Sequence, residues 1–269
     1  MILSALAWSA TAVLALVMFF PIAWMVITST KSETDAIAIP PNLWFVPSLA
    51  KFEAAFIDGD YLRFFDNSVA IVGGSVLIAL ALGLPAAYSL AYFPGKRAND
   101  ILLFALSTRF MPGVAVIVPL FLLYSKAGLI DTRAGLILID AALNLPLVLW
   151  LMRRFFRDIP LEIIEAALIE CRSHWRIFWR VVVPLSVPGL GATIFLLIIL
   201  TWNEFFFAVN VTGQSAAPLP VYMAAFMTTE GQTWAQMSAA ATLATLPIMI
   251  LGWLTSRSLV RGLAAGASR

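Results

Sequence analysis

The sequence predicts an all-α integral membrane protein with six transmembrane helices, and three observations carry that prediction. The 269 residues are 61% hydrophobic and only 12% charged, with a mean hydropathy of +0.93, outside the range of a soluble globular domain. Apolar runs recur along the chain at about the 20-residue length that a bilayer core requires. Between them lies one long polar interruption, Arg153 to Pro188, whose apolar residues follow a helical rhythm instead of forming a continuous block. Six spans with short connections use up the chain and leave no room for an extramembrane catalytic domain. A net charge of +2, without basic runs interleaved with aromatics, gives no reason to expect nucleic acid. Cys171 is the one cysteine, so no intrachain disulfide forms, and the single His174 excludes a His-rich metal site.

The first run, Ile2 to Thr28, is too long for the apolar core of a signal peptide and lacks a basic segment before it, so it reads as an uncleaved span. From Ser29 to Asp66 the chain is mixed and polar. Pro40, Pro41 and Pro47 punctuate it, and Lys51 to Phe56 forms a short amphipathic helix. The second run, Asn67 to Phe93, carries Gly73, Gly74 and Gly83 among several alanines, which gives small faces for close helix packing. The third, Ile101 to Tyr124, is interrupted by Arg109 and by Met111-Pro112-Gly113. The fourth, Ala134 to Met152, contains Asp140 and Asn144-Leu145-Pro146. The fifth, Gly189 to Val211, contains the stretch TWNEFFF. The sixth, Ser238 to Leu254, is followed by a basic tail, Arg257 to Arg269. The expected division is a first helix with its external segment over residues 1–62, and a five-helix core over 63–269. That core carries the polar loop, 153–188, and the tail.

Lys and Arg are unevenly shared between alternate connections, eleven on one side and five on the other, with Arg109 inside a run. The eleven-residue side is therefore cytoplasmic, together with both termini and the polar interruption. Within that interruption Ile164, Ala167, Leu168 and Cys171 are spaced i, i+3, i+4, i+7, as are Trp175, Phe178, Trp179 and Val182. Two short amphipathic helices follow, with charges beside their apolar stripes. Such a pair between spans is either a docking element for a soluble partner or, more blandly, a basic helix lying on the membrane surface.

The stretch EAALIEC, followed by RSHWRIFWRVVVPLSVPGL, resembles the EAA loop of bacterial ABC-importer permeases. Glu165, Ala166 and Ala167 match the pattern, as do Pro184, Leu185 and Pro188. Cys171 stands where that family has glycine, whose freedom to reach positive φ allows a sharp break between helices. With TRFMPGVAVIVPLFLLYSKAGLIDTRAGLIL, TWNEFFFAVNVTGQSAAPLPVYMAAF and the C-terminal stretch, the whole chain is similar to the maltose-permease (MalG-like) branch, nearest to permeases of hexitol (mannitol/sorbitol) and related sugar importers. The resemblance implies a multi-pass subunit of the bacterial inner membrane, embedded in lipid. Its partners would be a second homologous permease, two cytoplasmic ATPase subunits and an external solute-binding protein. ATP and Mg would belong to those ATPases, and this chain would bind no cofactor of its own. Glu165, Ala166, Ala167, Cys171, Trp175 and Phe178 are then the residues expected to couple to the ATPase, and the C-terminal tail is expected at the same interface.

Arg109, Asp140 and Glu204 lie within apolar runs, where a charge costs on the order of 3 kcal/mol on insertion scales. One reading is structural: Arg109 pairs with Glu204 or Asp140 and locks neighbouring helices. The other is a polar solute path lined by Asn203 and Glu204 with Trp202 and Phe205, since amides and carboxylates bind hydroxyl groups and aromatic faces stack on a sugar or polyol. On a continuous helix Asn203 and Glu204 point about 100° apart. We therefore expect Asn203 to contact solute and Glu204 to pair with Arg109. No nucleotide-binding P-loop, nucleophile–base set or metal-ligand spacing is present, so the chain is not expected to be an enzyme. The alternative is a secondary, ion-coupled transporter, which would normally show inverted repeats with paired broken helices.

Overall fold

The computed structural model describes residues 2–171, 173–228 and 231–267. It divides into two compact units, Met1–Phe65 with Val221–Pro247, and Asp66–Pro220 with Ile248–Arg269.

In the first unit, helix α1 (Ile2–Thr28) coincides with the first apolar run. Its large side chains face outward, as lipid contact requires: Trp8 is 77% and Met18 78% exposed. The segment after it is folded rather than a loose connection. Lys31 is buried, donates to the Asn42 carbonyl at 2.7 Å, and lies 4.7 Å from the Trp24 ring centroid. Charge, hydrogen bond and aromatic face together offset the cost of burying the ammonium. Helix α2 (Glu33–Ala36) is capped by Ser32. The expected short amphipathic helix is α3 (Ala50–Glu53), continued by a wider turn over Ala54–Asp58.

In the second unit, α4 (Tyr61–Tyr92) starts six residues before the predicted Asn67, so its first residues, to Phe65, fall in the first unit. A Cβ added at Gly83 would lie 2.5 Å from Val148, and one at Gly74 2.7 Å from Ile137, so the small face of α4 is the face against α7 (Arg133–Arg157). The third run is two helices, α5 (Ala98–Arg109) and α6 (Gly113–Ala127), bent by 88° at Phe110–Pro112. Pro112 cannot donate to the ladder and biases Met111 out of the helical region. The polar interruption forms α8 (Leu161–Glu170) and α9 (His174–Ile177), continued by a wide turn, Phe178–Val182, and the single turn α10 (Val183–Leu185). The fifth run is α11 (Val187–Trp202) and α12 (Phe206–Val211). The chain returns to the first unit within α13 (Leu219–Ala224), and a two-residue antiparallel pair, β1 (Met227–Thr228) with β2 (Gly231–Gln232), lies in that unit. Helix α14 (Trp234–Ala267), in the first unit to Pro247 and in the second from Ile248, outruns the sixth predicted run at both ends. Among the described residues four helices are long and apolar enough to span alone, and two bent pairs, Ala98–Arg109 with Gly113–Ala127 and His174–Leu185 with Val187–Trp202, raise the number to as many as six.

Candidate functional site

The polar groups of the apolar runs meet in one cavity of about 200 Å³, lined by Arg109, Asp140, Leu143, Asn144, Leu200, Thr201 and Glu204. Its shape follows from the end of α11. Asn203 leaves the helix at φ −97°, ψ 4°, and the Glu204 carboxylate turns to accept the N–H groups of Phe207 at 2.8 Å and Ala208 at 3.0 Å. Glu204 thereby caps the N-terminus of α12, where free N–H groups and the helix dipole favour an anion. The fifth run is thus not one helix, and the relation of about 100° between Asn203 and Glu204 does not apply. Asn203 is exposed, with its amide donating back to the Ile199 carbonyl at 2.8 Å. Trp202 is buried and Phe205 is exposed, and neither they nor Asn203 line the cavity.

Arg109 shares the cavity with Glu204 but does not pair with it. Its Nη1 donates to the Leu143 carbonyl at 2.5 Å, and among the described residues no ion pair within 4.0 Å joins Arg109 to Glu204 or Asp140. The carbonyl lies in the turn before Pro146, next to that of Ala142, which the missing N–H of the proline leaves without its helical partner. The opposite wall is held by Asn144, whose amide donates to the Thr201 hydroxyl at 2.7 Å between α7 and α11, both residues being buried. Asp140 is 2% exposed, and its Oδ2 has no hydrogen-bond partner. Sequence reasoning did not assign Asn144 and Thr201 to the site. The available signal was the spacing of Asp140 and Asn144, four residues apart on one helical face.

A second polar cluster ties the end of α7 near Thr132 to the segment after α12. Asp131 adopts φ 53° and accepts N–H groups from Gly213 at 2.7 Å, Ala216 at 3.0 Å and Ser215 at 3.1 Å. Burial pushes this carboxyl up, but the bonds from Ala216, Gly213 and Ser215 outweigh it and hold Asp131 below the usual carboxylate range. Alongside, Asn67 donates to the Ser215 and Ala217 carbonyls at 3.0 and 2.9 Å and accepts from Arg133 Nε at 2.6 Å.

The polar interruption, Arg153 to Pro188, has two faces. Ile164, Ala167, Ile177, Phe178 and Val182 are buried, and Phe178 packs on Tyr88 with ring centroids 5.2 Å apart. Leu168 and Trp179, which share the expected stripes, are instead exposed, together with Glu165, Ala166, Ile169 and Trp175. Cys171 is half-buried at φ −110°, ψ 113°, and Ser173 is extended at φ −136°, ψ 125°. The break between α8 and α9 therefore uses ordinary extended backbone at these two positions, and Cys171 meets no left-handed geometry that would demand glycine. Side chains of the tail beyond Thr255 lie outside the described residues. Among the described residues no group of three or more His, Cys, Asp or Glu is placed to hold a metal ion.

The chain is 36% identical over 255 residues to the "Probable ABC transporter permease protein y4oR" of Sinorhizobium fredii, an alignment spanning 95% of this chain and 92% of that one. It is 28% identical to the trehalose/maltose transport system permease protein MalG of Thermococcus litoralis, over 94% of this chain and 92% of the relative. Its fold matches a chain of the crystal structure of a bacterial ABC transporter involved in the import of the acidic polysaccharide alginate, with a TM-score of 0.76, 20% identity and 96% of each chain covered. These relatives are membrane permease components rather than enzymes. Residues 79–264, which hold the cavity and helices α8 and α9, match the family model described as binding-protein-dependent transport system inner membrane component, and the chain belongs to that family.

Proposed function

We propose that this chain is the permease subunit of an ATP-driven, binding-protein-dependent importer of carbohydrate, with a monosaccharide, a polyol such as the hexitols mannitol and sorbitol, or a related carbohydrate as the solute. A second homologous permease, two cytoplasmic ATPase subunits holding ATP and Mg, and an external solute-binding protein complete the assembly in the inner membrane. The observation that carries this reading is the α8–α9 pair. Its inner face is locked by Ile164, Ala167, Ile177 and Phe178, while Ile169, 88% exposed, and Trp175, 58% exposed, stand outward in the same stretch as Glu165. A firmly seated helix pair with an uncovered apolar face suits the groove of a soluble partner. ATP binding and hydrolysis in that partner would then bias an inward-facing/outward-facing equilibrium.

Carbohydrate as the solute is supported by the uptake systems to which the relatives belong and by the hydroxyl, amide and carboxylate groups of the cavity. The hexitol assignment rests on the sequence resemblance alone. Asn203, exposed on this chain, suits a path shared with the second permease, and Glu204 shapes that path by starting α12. Glu165→Lys tests the docking role in the reconstituted complex. It should keep assembly while losing solute uptake driven by ATP hydrolysis. Normal assembly with a wild-type transport rate would remove the role.

A further inference from the structure

The last turns of α7 form a basic pocket that neither the docking face nor the intramembrane cavity uses. Trp150, Arg153, Arg154, Arg157 and Asp158 line a cavity of about 400 Å³. At 100° per residue the five positions fall within about 140° of the helix circumference, so the spacing alone places them on one face. Arg153 is fixed there, with Nε donating to the Leu90 carbonyl and Nη2 to Asn99 Oδ1, both at 3.1 Å. Arg154 and Arg157 are exposed, and among the described residues no ion pair within 4.0 Å engages either. Asp158 is the one acidic group of the lining and is likewise unpaired with the arginines, so three cations against one anion leave the pocket at +2.

Positive charge at a helix C-terminus is favoured by the dipole, but that does not account for Trp150, 46% exposed one turn inside the arginines. Tryptophan just below a basic cluster is the pattern of a membrane–water interface. The 25 residues of α7 reach about 37 Å at 1.5 Å per residue, against about 30 Å of hydrocarbon. About 4 Å, two to three residues, therefore lies beyond the hydrocarbon at each end if the helix is centred, so at the C-terminal end Arg157 clears it and Arg153 and Arg154 reach up from just inside. We propose that this pocket binds the phosphate-ester headgroup of an anionic phospholipid. Arg154 and Arg157, three residues apart, present guanidinium groups that can take phosphate oxygens bidentately. Arg153, held by Leu90 and Asn99, adds fixed positive field, and Trp150 packs at the glycerol level.

The test is native mass spectrometry on the assembled, delipidated complex titrated with dioleoylphosphatidylglycerol or dioleoylphosphatidylcholine. The glycerol lipid should be retained in preference to the choline lipid. At about a factor of five per basic residue removed, Arg157→Gln should weaken that retention about fivefold and the Arg154→Gln/Arg157→Gln double variant about 30-fold, with the choline lipid unchanged. The Arg154→Lys/Arg157→Lys variant, which keeps the charge, should retain the preference and serves as the second reading if the double glutamine variant fails to assemble. Equal retention of both lipids, or undiminished phosphatidylglycerol binding in Arg157→Gln and the double variant, would overturn the proposal. Displacement by millimolar glycerol 3-phosphate would reassign the pocket to a free phosphate ester and equally overturn the lipid assignment.

Discussion

Asp131→Asn gives the sharpest test of how the segment after α12 is held. The carboxylate takes three backbone N–H groups: Oδ1 serves Gly213 at 2.7 Å and Ala216 at 3.0 Å, and Oδ2 serves Ser215 at 3.1 Å. Asparagine keeps Oδ1, from which the Ser215 nitrogen also lies 3.2 Å, and puts an NH₂ at the shorter of the two Ser215 contacts. A hydrogen bond to a charged group contributes about 1.5–3 kcal/mol. Asp131 is half-buried and the solvent that still reaches it screens the charge, so the lower end applies and the local loss is about 1.5 kcal/mol. That corresponds to roughly tenfold faster opening. Hydrogen exchange of the Ser215 amide reads it directly, because local opening sets its protection. The Asp131 pKa is depressed in the folded state, so its contribution is fully present above the ordinary carboxylate value of 3.8 and is lost as pH falls through the lower folded value. Between pH 5 and 8 the ratio of variant to wild-type exchange should therefore stay constant. Unchanged exchange at Ser215 in Asp131→Asn would refute the reasoning.

Three further substitutions address the cavity and the end of α11 beside it. Glu204→Ala frees the N–H groups of Phe207 and Ala208, and loss of a cap of this kind costs about 1–2 kcal/mol, measurable as a lower apparent melting temperature of the detergent-solubilised complex. Since Arg109 bonds to Leu143 rather than to Glu204, adding Arg109→Gln should give losses additive within about 0.5 kcal/mol. Partial recovery in the double variant would instead restore the direct pair. Asn203→Ala removes an exposed amide that bonds only its own helix turn at Ile199. It should weaken solute uptake while leaving the complex intact, and normal uptake would remove Asn203 from the path.

The legible parts of the fold are those written in uninterrupted hydropathy or in proline and glycine. The bounds of α1 are those of its apolar run, and the bend between α5 and α6 falls at Met111-Pro112-Gly113, where the missing N–H forces it. The break after Trp202 was hidden because TWNEFFF contains neither residue. The helix ends there as a side-chain carboxylate competes for the N–H groups of the next turn, and that becomes visible only with the backbone in place. Charge placement was readable as expensive, and the groups do converge on one cavity, but their partners were not readable. Arg109 finds a carbonyl of the Pro146 turn, and Asn144 finds Thr201 57 residues away in sequence. Asp131 looked like an ordinary loop residue. Its left-handed φ is one that aspartate tolerates, and the three amides it gathers come from a segment 82 to 85 residues further on.

The central claim, an importer permease worked by a partner ATPase, is tested most directly in proteoliposomes containing this chain, its permease partner and the ATPase subunits. Uptake of labelled hexitol or monosaccharide should require both ATP and the solute-loaded binding protein, and addition of that protein should raise ATP hydrolysis by the wild-type complex. Uptake driven by an ion gradient with no ATP and no binding protein would contradict the account.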